Sequence, residues 1–84
     1  MNIKQFLKDI NICTIKTTDN QTLIVSVLNE QAAIFIKDAP QDAVRFKTAS
    51  TNQTILDYVL SRLEVNLEPE KQARVLTWIL ERAA

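Results

Sequence analysis

Glycine and histidine are both missing from this 84-residue chain, and cysteine occurs once, at Cys13. Without glycine the P-loop and the dinucleotide fingerprint drop out together, because a phosphate cradle needs backbone that approaches its ligand with no Cβ in the way. Without histidine, a nucleophilic Ser or Cys lacks its usual neighbouring base. A single cysteine makes no bridge within the chain, which fits a reducing compartment, and it falls far short of the roughly four Cys or His ligands of a structural zinc site. The expectation is a chain with no cofactor, no metal and no enzymatic activity. Carboxylate pairs are the remaining chemistry, and Glu68 with Glu70, or Asp38 with Asp42, sit where turn-forming and helix-dipole roles account for them.

Long apolar runs are also lacking. No stretch approaches the roughly 18 residues of a membrane span, and the opening residues 1–9 have no uninterrupted apolar core of a signal peptide, so the chain is expected to be cytosolic. Charge of one sign is not in excess either: ten basic and ten acidic side chains leave a formal net charge of zero. No overall field steers the molecule towards nucleic acid or an anionic surface, although a local patch can.

What is present is a large apolar fraction in a short chain, 46% of the residues. Eighty-four residues read as one domain, and a chain of that size buries only about 60 to 65% of its unfolded surface. Small domains usually add a disulfide, a metal or a second subunit. With the first two gone, association with another copy or with a partner protein is the supplement to expect.

The predicted class is α+β: a short N-terminal helix, a four-stranded antiparallel meander, and a C-terminal antiparallel helix hairpin packed on the sheet. Asn2 and Gln5 form a capping-box pattern ahead of a helix over residues 3–9, whose stripe is Ile3, Phe6, Leu7 and Ile10. From Ile10 to Lys47 β-branched and aromatic types dominate, broken by Asp and Asn clusters, which gives strands over 11–17, 22–28, 32–37 and 43–48. Short connections pair them in order. The glycine-free turns favour loops of about three to five residues over two-residue type I′ loops. Leu23, Val25 and Val27 alternate with Ile24 and Leu28, so the second strand belongs in mid-sheet, covered on both sides. A helical reading of Leu23, Ile24, Val27 and Leu28 competes with it. In the fourth strand Val44 and Phe46 alternate with Arg45 and Lys47, the mark of a guarded edge.

Ser50 and Gln53 make a second capping-box pattern, opening a helix over 51–63 with Ile55, Leu56, Val59, Leu60 and Leu63 inward. Pro69 suits the first position of the last helix, which faces the core with Gln72, Val75, Leu76, Ile79, Leu80 and Ala83. On that helix Trp78 falls about 120° from the centre of the apolar face, with Lys71, Arg74 and Arg82 around it. A lone tryptophan ringed by cations suits contact with an acidic partner or, as an alternative, a stacked nucleic-acid base. The plainer account is an indole closing the rim of the core under cation–π contacts. Tyr58, with Arg62 one turn on, occupies a similar edge of the preceding helix. The candidate partner-binding residues are therefore Lys71, Arg74, Trp78, Arg82, Tyr58 and Arg62. The reading they support is a protein-interaction module, a homodimeric adaptor or a small inhibitor covering a site on a larger protein. A nucleic-acid-binding regulator is the alternative.

Overall fold

The structure is a computed structural model and describes residues 11–83. The expected helix over residues 3–9 lies outside the described residues. Within them the chain forms β1 (Asn11–Lys16), β2 (Thr22–Leu28), β3 (Gln31–Ile36), β4 (Val44–Lys47), α1 (Gln53–Leu63) and α2 (Pro69–Arg82), with single 3-10 turns at Pro40–Asp42 and Thr48–Ser50. The four strands make one antiparallel sheet in the order β1-β2-β3-β4, so the chain is α+β. No helix among the described residues is long and apolar enough to cross a membrane.

The alternation in β2 decides strand over helix: Leu23, Val25 and Val27 are buried, while Thr22, Ile24, Ser26 and Leu28 between them are half-buried. The register stacks the core-facing set across the sheet, half-buried Cys13 opposite buried Val25, Val25 opposite buried Ile34, then Ile34 opposite half-buried Val44. These side chains join Leu56, Val59 and Leu60 of α1 and Val75 and Ile79 of α2 in one apolar cluster. Full burial of each such side chain stabilises the fold by about 1.5–3 kcal/mol. The other side of the sheet is different. Ile24, Leu28 and Phe35 are only half-buried there and Ile12 is 60% exposed, so no described residue gives β2 the second cover that its doubly apolar sequence implies.

Three local expectations are corrected. First, the β2–β3 connection is a two-residue loop, since Leu28 pairs with Gln31, and both Asn29 and Glu30 have positive φ, 51° and 65°. That is a type I′ geometry built without glycine. Asn tolerates the left-handed region, and Glu30 is held there from outside: its carbonyl accepts Thr48 N–H at 3.0 Å and Thr48 Oγ1–H at 3.2 Å. Second, Ser50 does not cap α1. It closes the preceding 3-10 turn, and Asn52 caps instead, its Oδ1 accepting from Ile55 N–H at 2.9 Å. Third, Leu80 is 51% exposed rather than inward. The buried line of α2 runs through Val75 and Ile79, so at about 100° per residue Leu80 falls about 120° from its centre and Trp78 about 80°. The helix is rolled towards its tryptophan.

Glu64 ends α1 in the left-handed conformation, φ 58°, and the next residue, Val65, donates its N–H to Leu60 O at 3.1 Å. This is a Schellman cap with buried Val65 and Leu60 as its apolar contact. Gln53 Nε2 donates to Gln72 Oε1 at 2.6 Å and joins the first turns of the two helices.

Candidate interaction surface at the β1 edge

Both edges of the sheet are set by hydrogen-bond parity. Thr17 N–H donates to Gln21 O at 2.9 Å, so positions 17 and 21 form a hydrogen-bonded pair. In an antiparallel ladder such pairs alternate with non-bonded ones. Stepping along the register, the main chain of Cys13 and Ile15 bonds to β2, whereas the N–H and C=O groups of Ile12, Thr14 and Lys16 point away from the sheet. At the other edge Thr48 N–H on Glu30 O sets the phase, and Arg45 and Lys47 carry the outward groups.

The two edges are treated differently. Residues 45 and 47 are both cationic and exposed, and β4 is only four residues long between two 3-10 turns. On β1 the outward positions begin with Ile12 and Thr14, both exposed. Among the described residues only the last is occupied: Lys71 Nζ reaches from α2 to donate to Lys16 O at 3.0 Å. From the described residues the Thr14 carbonyl receives only the Cys13 S–H at 3.9 Å, a weak contact.

Beside this open edge runs a groove of about 410 Å³ between β1 and α2. Cys13, Thr14 and Ile15 form one wall and Arg74, Val75 and Trp78 the other, with Glu70 and Glu81 also lining it. Trp78 is half-buried and packs on the core cluster. The Arg82 guanidinium lies 4.1 Å above its ring, and Nη1 of the same residue donates to Trp78 O at 2.9 Å. This is the rim-closing arrangement, with the cation both stacked on the indole and satisfying a carbonyl in the last turn of the helix. Arg82 Nε is buried with no hydrogen-bond partner among the described residues.

Of the three cations read around Trp78, then, Arg82 covers the ring and Lys71 caps the β1 edge, while Arg74 stays exposed on the groove wall. Tyr58 and Arg62 are elsewhere. Tyr58 is 55% exposed, and with Arg62 it lines a separate depression beside Ile36, Asp38 and Val44. The two aromatics thus belong to two surfaces with no lining residue in common.

The residues that sequence reasoning left out of the candidate surface are those of β1: Ile12 on the open edge, and Cys13, Thr14 and Ile15 in the groove wall. A signal for them existed. The first strand of a meander is an edge, and this one carries no charge before Lys16, unlike the fourth strand with Arg45 and Lys47. Among the described residues no three His, Cys, Asp or Glu side chains are grouped to hold a metal ion. No family model, curated protein or solved structure matches the chain.

Proposed function

We propose that this chain is a non-enzymatic protein-interaction module, acting as a homodimeric adaptor or as a small inhibitor that covers a site on a larger protein. The observation that carries the reading is the β1 side of the molecule, where main-chain groups of Ile12 and Thr14, unpaired among the described residues, lie next to a groove walled by Ile15, Val75 and Trp78. An extended edge with an apolar trough alongside is the arrangement by which proteins accept another polypeptide as an added strand, main chain supplying affinity and side-chain pockets supplying choice. Helix α2 supplies the second wall of that trough through Arg74, Val75 and Trp78, and Trp78 is the residue type that most often dominates such contacts.

The alternative, a nucleic-acid-binding regulator on Lys71, Arg74, Trp78 and Arg82, draws less support. Lys71 and Arg82 already have partners within the chain, and Glu70 and Glu81 line the same groove and repel phosphate. Its mark would be oligonucleotide binding that falls steeply with salt.

The test compares affinity capture from native lysate by the wild-type chain, Trp78→Ala and Tyr58→Ala, each first shown by circular dichroism to keep its fold. A protein captured by wild type and Tyr58→Ala but lost with Trp78→Ala supports the reading. Capture that survives both substitutions, or binding only to salt-sensitive nucleic acid, goes against it.

A further inference from the structure

We propose that the occupant of the β1 edge is a second copy of this chain, paired β1 to β1 in antiparallel fashion about a two-fold axis through Cys13. This rests on reading the β1 side as the interaction surface and names what sits there.

The register follows from which groups are free. Antiparallel pairing through β1 can use only the outward main chain of Ile12, Thr14 and Lys16, and Lys16 O is already held by Lys71. Of the two-fold registers that leave Lys16 alone, the one centred on Cys13 uses both remaining outward residues, Ile12 against the partner's Thr14 and Thr14 against the partner's Ile12, as hydrogen-bonded pairs, whereas centring on Ile12 would use Ile12 alone. Centring the axis on Thr14 instead would require Lys16 to pair with the partner's Ile12 and compete with the Lys71 contact.

The side chains agree with that register. Cys13 and Ile15 alternate onto the core side of β1, where they belong to the groove wall that faces Val75 and Trp78. A neighbouring strand with the same alternation brings the partner's Cys13 and the partner's Ile15 into the same layer, so the apolar wall of one copy's trough is extended along the sheet by the other. Ile12, 60% exposed on the outer side of the sheet, gains a cross-strand neighbour in the partner's Thr14. Charge does not oppose the pairing, because two copies of a chain with zero formal net charge have no overall repulsion. A closed two-fold dimer uses up the edge, whereas an open-ended contact would leave one for further growth.

The arrangement has a chemical signature. In the non-hydrogen-bonded pair at the axis the two Cys13 Cα atoms stand about 4.5 Å apart, inside the range of about 4.4 to 6.8 Å that a disulfide spans. Mild oxidation would then join Sγ to Sγ, with diamide as the oxidant taking up the two thiol protons and two electrons as it is reduced to the hydrazine. The chain has no other cysteine, so any cross-linked dimer is a Cys13 dimer.

The experiment uses the full chain. Sedimentation equilibrium over a wide concentration range should show the mass rising from 9.6 kDa towards twice that value, and diamide should trap the dimer efficiently at the concentrations where it forms. Thr14→Pro removes an outward N–H that no described strand uses, a position where an edge tolerates proline, and should weaken association by about tenfold or more with the fold retained. If that variant fails to fold, the oxidation of wild type decides. A mass fixed at 9.6 kDa at every concentration, or a dimer that diamide does not trap at Cys13, overturns the proposal. A monomer whose captured partner still depends on Trp78 overturns the second copy alone and leaves the interaction surface standing.

Discussion

The two edges of the sheet, β1 and β4, are built from the same kind of strand and finished in opposite ways. Outward main chain on β4 belongs to Arg45 and Lys47, and the strand is cut to four residues by a 3-10 turn at either end. A second strand approaching there meets charge and has little length to pair with. Outward main chain on β1 belongs to Ile12 and Thr14, over a strand of six residues, with an apolar trough beside it instead of a barrier. Since an unguarded edge is a hazard for a free chain, the contrast teaches that β4 carries its own defences against association, whereas the described residues give β1 none at Ile12 and Thr14.

The largest effect should come from breaking what both edges share. Ile34 is fully buried and pairs with Val25 of β2 on one side and Val44 of β4 on the other, so Ile34→Ala removes packing at the centre of the sheet that lies between the two edges. A loss of about 2–5 kcal/mol in urea unfolding is expected, the cost of truncating a fully buried Ile. Giving β1 the finish of β4 comes next. Ile12→Lys places a cation on an exposed outward position, and it should leave unfolding stability within about 0.5 kcal/mol while lowering self-association by about tenfold, read by sedimentation. The smallest change sharpens the comparison from the other direction. Lys71→Met frees Lys16 O and lengthens the open edge by one residue, at the loss of one exposed charge-assisted hydrogen bond. Thermal unfolding should shift by less than about 1 kcal/mol, and association should hold or tighten slightly.

Much of this fold was legible because turn chemistry and apolar alternation agree. The bounds of β2 match the reading at both ends, since Asn20 and Asn29 take the positive φ that closes the strand and Leu23, Val25 and Val27 hold its buried face. Where two local patterns competed, tertiary contacts chose. Ser50 and Asn52 are both good N-caps, and Asn52 won because the 3-10 turn from Thr48 engages Ser50 first. The type I′ loop at Asn29 and Glu30 was not expected because its support comes from Thr48, eighteen residues along the chain from Glu30. The candidate surface was half visible. Periodicity put Trp78 and Arg74 at an edge of α2, but spacing along one helix does not reveal that Lys71 reaches a carbonyl on β1 or that Arg82 folds over the indole. Nor does it separate Tyr58 from Trp78, which depends on how each helix is rolled against the sheet.

The most direct measurement of the difference between the edges is amide hydrogen exchange, residue by residue, at low and high protein concentration. The N–H groups of Ile12 and Thr14 should exchange freely when dilute and gain protection as concentration rises, while those of Arg45 and Lys47 exchange at the same rate throughout. Protection appearing at Arg45 and Lys47 instead, or at neither pair, would contradict the view that β1 is the edge held open for a partner.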